Sequence, residues 1–261
     1  MDTIRQPAVA GMFYPAEPDE LRGMLARYLG EASAAEPPPK AMILPHAGYI
    51  YSGPVAASGY SCLLENRDAY NRVALLGPAH RVAFRGLAAP SSSVFMTPLG
   101  AVAIDRAAIE QLVALPQVHM LDEAHRLEHS LEVHLPFLQV TLDSFTLVPL
   151  VVGEADAREV CEVIEALAGD AGTLVIVSSD LSHYHDYATA RQLDDATTRK
   201  IEALDFEALG HEQACGRNPV SGLLLYARRH GLTATTLDLR NSGDTAGPRD
   251  QVVGYGAYAF S

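Results

Sequence analysis

The run Leu174-Val175-Ile176-Val177-Ser178-Ser179-Asp180-Leu181-Ser182-His183-Tyr184-His185 decides the fold class. Four consecutive apolar residues, three of them β-branched, read as a strand buried on both faces. The polar, histidine-bearing loop that follows reads as the place where such a strand delivers chemistry. Working outward, Met42–Leu44, Val73–Leu76 and Phe145–Val152 read as further buried strands. Helical patterns lie between or after them at Glu132–Leu142, Ala155–Leu167, Asp186–Leu204 and Pro219–His230. Asn218-Pro219 offers N-cap and first-turn chemistry for the last helix. Leu232–Leu239 and Val252–Phe260 close the chain as strands, and Gly86–Ile104 carries short β-like pieces of hairpin character. Strand–helix alternation at this spacing predicts an α/β fold: one mixed sheet with helices on both faces.

A first helix is expected from Pro18 to Leu29, with Leu21, Met24, Leu25, Tyr28 and Leu29 on one face. Glu31–Pro39 is a proline-rich linker, too early to divide two domains. The 261 residues are therefore read as a single domain, 1–261, with segment 1–39 packed on it.

With 32 acidic and 19 basic residues the formal charge is −13. That balance argues against nucleic acid and against an anionic membrane surface as partners. Three cysteines, Cys62, Cys161 and Cys215, are too few and too scattered for a disulfide framework. No stretch approaches the ~20 apolar residues of a membrane span, and no apolar signal core opens the chain. The expectation is a cytoplasmic protein with reduced thiols.

The histidines follow the strands. His46 comes two residues after the strand ending at Leu44, and His80 four after the one ending at Leu76. Asp180, His183 and His185 follow the strand ending at Val177. In open α/β sheets, ligands bind outside the carboxyl ends of the strands. Imidazole serves there as a metal ligand or as an acid–base group. Glu128-His129-Ser130-Leu131-Glu132-Val133-His134 is a second cluster. It reads either as a polar helix start or as a segment whose His129 and Glu132 share a helix face and line the pocket. Its histidines are five apart, so it is not a zinc-protease motif. Cys215, before Gly216-Arg217-Asn218-Pro219 at a helix start, reads as a thiolate ligand or nucleophile, or else as a small buried residue. Tyr49 and Tyr184 are candidate hydrogen-bond donors into the pocket. P-loop, GxGxxG and GxSxG signatures are absent.

Taken together, these blocks resemble the Memo family: Pro45-His46-Ala47-Gly48-Tyr49 with Tyr51-Ser52-Gly53, Gly77-Pro78-Ala79-His80, Glu128-His129-Ser130-Leu131-Glu132 with His134-Leu135-Pro136, Ser178-Ser179-Asp180 with His183, and Cys215-Gly216-Arg217 with Pro219. Prokaryotic members include the AmmeMemoRadiSam system protein B group. The blocks run in family order over nearly the whole chain. The resemblance implies a fold like that of class III extradiol dioxygenases and a non-haem metal centre held by His46, His80 and Cys215. Asp180 would orient His183 as a general base, while Tyr49, His129, Glu132 and Tyr184 would bind substrate. A thiolate in place of the dioxygenase carboxylate softens the site and brings Cu(I), Zn(II) and Fe(II) within its range; iron is expected first, copper or zinc after it. Glu132, Asp180 and Glu212 are alternative ligands if Cys215 points away. The implied function is a metal-dependent oxidoreductase acting on a small molecule or peptide. The alternative is a peptide- or phosphopeptide-binding adaptor using the same pocket. Family naming further implies AMMECR-domain and radical-SAM partners.

Overall fold

The computed structural model describes residues 4–32, 38–169, 172–210 and 212–261. Its centre is a parallel run of four strands: β2 (Ala41–Leu44), β9 (Thr173–Ser178), β3 (Arg72–Pro78) and β8 (Thr146–Val152), in that spatial order. Nearly every residue in these strands is buried, which is why their sequences read as continuous apolar runs. On one side β12 (Val252–Phe260) pairs antiparallel with β2, and β11 (Ala234–Asn241) and β10 (His183–His185) pair antiparallel with β12. On the other side β4 (Leu87–Ala89) runs antiparallel to β8 and carries β7 (Val118–Met120). A second, small sheet joins β1 (Ile4–Arg5) to the hairpin β5 (Val94–Thr97) and β6 (Gly100–Ala103).

Helices cover the large sheet. The helix α2 (Tyr49–Tyr60) packs on β2, β11 and β12, with α1 (Pro18–Glu31) and α5 (Leu135–Thr141) against it. Another layer is made by α6 (Ala157–Ala168) and α8 (Arg217–His230), which pack on each other and on β9. The helix α7 (Tyr187–Glu202) lies along β11 and β12. The short α3 (Arg106–Leu112), α4 (Asp122–Arg126) and α9 (Ser242–Thr245) complete the described elements. No helix among the described residues is long and apolar enough to cross a membrane.

The mixed α/β class expected from the sequence is the one observed. The start of α8 differs from the sequence reading. Its N-cap is Gly216, and Asn218-Pro219 lie inside the first turn. The stretch expected as one helix from Glu132 is a 3₁₀ turn at Glu132–His134 followed by α5. The middle of the proline-rich linker, 33–37, lies outside the described residues.

Candidate metal centre

Three adjacent parallel strands end at one edge, so their following loops converge. His46 follows β2, His80 follows β3, and Ser179-Asp180 follow β9. Cys215 comes from another part of the chain, one residue before the N-cap of α8. That approach requires glycine next to it: a Cβ on Gly216 would sit 2.5 Å from the Ser178 carbonyl oxygen and 2.7 Å from the Ser179 Cβ. Together these loops line a cavity of about 930 Å³. The imidazole nitrogens of His46 and His80 and the Cys215 sulfur offer ligand atoms all within 4.8 Å of one another.

Each of the three has distinct support. The His46 ring places Nδ1 2.6 Å from the Ser178 hydroxyl and Nε2 3.3 Å from Cys215 Sγ. Its backbone N–H donates to Asp180 Oδ1 at 2.8 Å. Burial, reinforced by the neighbouring histidines, holds its pKa well below the ordinary value, so the ring is neutral. His80 Nδ1 meets Glu128 Oε1 at 3.0 Å, and the His80 backbone N–H donates to Glu128 Oε2 at 2.6 Å. A carboxylate can only accept, so Nδ1 carries the proton and Nε2 is left for the cavity. Cys215 Sγ accepts the Asp180 N–H at 3.3 Å. Burial, then the Asp180 charge, push the thiol up to about 12 against those hydrogen bonds.

Glu128 is the hub of the His80 side. Beyond His80 it accepts the backbone N–H groups of His129 at 2.9 Å and Ser130 at 3.0 Å. Burial would raise its pKa, but the His80 ring and the N–H groups of His80 and Ser130 bring it down to about 2. His80, Glu128 and His129 also bring ligand atoms within 4.8 Å of one another. With Glu128 this heavily hydrogen-bonded, the trio reads as support for His80. His129 stacks on His80 with centroids 4.8 Å apart, and burial lowers its pKa to about 4.

Asp180, His129, His183, Tyr184 and the alternative ligand Glu212 all line the cavity with His46, His80 and Cys215. Asp180 is raised to about 7 by burial, opposed by the backbone N–H groups of His46 and Ala47. Its role differs from the one expected. It pins the His46 loop, while His183 Nδ1 donates to the Leu181 carbonyl at 2.9 Å. The Leu181 carbonyl therefore sets the His183 tautomer and leaves Nε2 free of that bond. Tyr184 is 72% exposed at the mouth, with a left-handed φ of 60°.

Two expected pocket residues do not line this cavity. The Tyr49 hydroxyl donates to the Val133 carbonyl at 2.6 Å. Glu132 is fully buried, and its carboxylate accepts from Arg5, the N–H groups of Ala8 and Val9, and the Tyr14 hydroxyl. With residues 132–134 in a 3₁₀ turn, His129 and Glu132 do not share an α-helical face. Instead, Glu132 clamps the N-terminal segment beneath the site. Arg217 lines a second cavity of about 950 Å³ that reaches Cys215 from the far side of Pro78-Ala79.

Tyr51, Arg81 and Tyr255 also line the main cavity, and sequence reading did not assign them to it. His185, placed with His183 after the same strand by the sequence, lines it as well, so both histidines face the cavity. Tyr255 lies inside an apolar closing strand and carries no signal of this placement.

The Memo-like protein family model matches residues 5–259. A MEMO1 family protein of Methanosarcina barkeri is 38% identical over 268 residues, covering 97% of this chain and 98% of the relative. One from Saccharolobus solfataricus is 36% identical over 282 residues, covering 98% and 99%. The crystal structure of an uncharacterised protein of Escherichia coli K12 superposes with a TM-score of 0.52 at 14% identity. It covers 84% of this chain and 98% of that one, a likeness of fold. The chain belongs to the Memo-like family.

Proposed function

We propose that this Memo-like protein carries a non-haem metal centre on His46 Nε2, His80 Nε2 and Cys215 Sγ, and that the centre serves a metal-dependent oxidoreductase. The observation that carries this reading is the shared design of the two imidazoles. Each commits Nδ1 to a protein partner and turns Nε2 toward the cavity, with the thiol alongside. Neutral imidazoles and a soft sulfur suit iron, then copper or zinc. Bound there, such a metal supplies electron transfer or Lewis acidity.

The chain's own residues do the rest. Asp180 holds the His46 loop by its backbone. His183, half-buried and with its pKa lowered by burial, is neutral near pH 7, so its Nε2 can take a proton from a molecule in the cavity. Tyr51 and Tyr184 stand at the opening and contact what enters.

The reading is tested by oxygen uptake of iron-reconstituted protein with catechol-like and thiol substrates. Uptake is expected in the wild type. In His183→Gln it should fall about 10²-fold with metal content unchanged, the low end for a lost acid–base group. Metal-loaded protein with no uptake on any substrate, yet tight peptide binding after metal removal, would replace the enzyme reading by the adaptor reading.

A further inference from the structure

Behind His46 lies a buried chain of polar groups that the metal-centre reading does not use. Ser178 Oγ has three neighbours: the Ser130 carbonyl at 2.6 Å, His46 Nδ1 at 2.6 Å and His134 Nε2 at 2.8 Å. His134 Nδ1 in turn lies 2.9 Å from the Tyr60 hydroxyl. Tyr60, His134 and Ser178 are essentially without solvent exposure.

The protons in this chain have one arrangement that satisfies every group. A carbonyl only accepts, so the single Ser178 proton points at Ser130. The Ser178 oxygen then has two lone pairs and two imidazole nitrogens beside it. Both nitrogens must carry protons. His46 is thereby the Nδ1–H tautomer, with a bare Nε2 facing Cys215. His134 is the Nε2–H tautomer, with a bare Nδ1 that receives the Tyr60 proton. The reversed arrangement sends the Ser178 proton to His134 and the His134 Nδ1–H to Tyr60. It strips the Ser130 carbonyl of this donor and leaves the buried Tyr60 proton without its imidazole acceptor, a costly outcome for both. A Ser178 proton turned toward His46 would move the ring proton to Nε2 and block the lone pair facing Cys215.

We infer that Tyr60 and His134 are positioning residues: through Ser178 they lock His46 in the one tautomer that can bind metal. The inference rests on the metal-centre reading, and it adds two residues that never touch the cavity. The sequence reading placed His134 in a polar cluster and in a family block without assigning it a role, and gave Tyr60 none.

The test uses the full chain, stripped of metal, in two measurements. Imidazole nitrogen-15 spectra of the metal-free protein read the His46 tautomer directly. Titration with Co²⁺, followed by the cobalt–thiolate absorption, reads affinity. The spectra should show wild-type His46 protonated on Nδ1 alone. In Ser178→Ala the tautomers should mix and Co²⁺ affinity should drop about tenfold or more, the usual cost of losing a ligand's hydrogen-bond partner. His134→Leu should move both readouts the same way, and Tyr60→Phe by less. His134→Gln keeps an N–H donor toward Ser178 and should restore most of the wild-type behaviour. A purely structural role would lower the melting temperature of these variants without moving the His46 signals. Unchanged His46 signals and affinity in Ser178→Ala and His134→Leu overturn the inference. If instead His46→Ala and Cys215→Ala bind Co²⁺ like the wild type, the metal-centre reading fails, and the spectra still decide the relay.

Discussion

The two candidate ligand histidines are supported in opposite ways. Glu128 holds His80 by ring and backbone, a charged acceptor with its pKa brought down to about 2. The His46 ring rests on a neutral hydroxyl, with His134 and Tyr60 along the chain behind it, while Asp180 takes its backbone N–H. The His80 side chain is 28% exposed, but the Glu128 carboxylate beside it is buried and is held by the N–H groups of His80, His129 and Ser130. His46 is 2% exposed, and the buried carboxylate beside it, Asp180, meets its backbone and leaves the ring to Ser178. The two rings therefore differ in the kind of support: a hydrogen-bonded carboxylate behind His80, a neutral relay behind His46.

Removing the charged support should have the largest effect. Glu128→Ala leaves the His80 ring and the N–H groups of His80, His129 and Ser130 without their acceptor. It should cost about 3 kcal/mol of stability and about 100-fold in metal affinity, by urea unfolding and metal titration. A loss no greater than that of Ser178→Ala would break the comparison. The buried Arg5–Glu132 pair sits under the same side, with Arg5 also donating to the carbonyls of His125 and Glu128. Arg5→Ala should cost about 3 kcal/mol, because it strands a fully buried carboxylate. It should leave the His46 nitrogen signals where they are.

Acid should separate the two sides. Burial holds His134 down to about 3, whereas an unfolded histidine titrates near 6.5. The unfolded chain takes up that proton first, so stability falls with pH between about 6.5 and 3, at about 1.4 kcal/mol per unit. Glu128 loses its contribution lower, between the unfolded value of 4.5 and about 2. Asp180 and Asp194, raised by burial to about 7 and about 6, oppose the His134 loss down to their ordinary value of 3.8, since the folded chain protonates them first. His134→Gln should make the stability profile less steep between about pH 6.5 and 3, read by urea unfolding, and leave the slope below pH 3 unchanged. The smallest effect belongs to the mouth. Tyr184→Gly should relieve the left-handed backbone and stabilise by about 0.5–1 kcal/mol, read as a higher thermal midpoint.

The parallel strands and the histidines after them were legible because burial on both faces writes an unbroken apolar run. That β2, β9 and β3 are neighbours was not legible, since strand order depends on which helices pack over which crossovers. His46, His80, Asp180 and Cys215 were singled out from strand ends, a helix start and a family resemblance, and they meet at one cavity. Glu132 and Tyr49 were misplaced for one reason. A polar residue in a motif block looks the same whether it faces solvent or a buried partner. Only tertiary contact shows that four N-terminal donors claim Glu132. The Tyr60–His134–Ser178 chain was invisible because its members are 74 and 44 residues apart.

The most direct test is elemental analysis of protein purified without oxygen, alongside His46→Ala and Cys215→Ala. Near-stoichiometric iron or copper is expected in the wild type and should be lost in both variants while they remain folded. Wild-type protein that holds no metal even after reconstitution, or variants that hold as much as the wild type, would contradict a centre built on His46, His80 and Cys215.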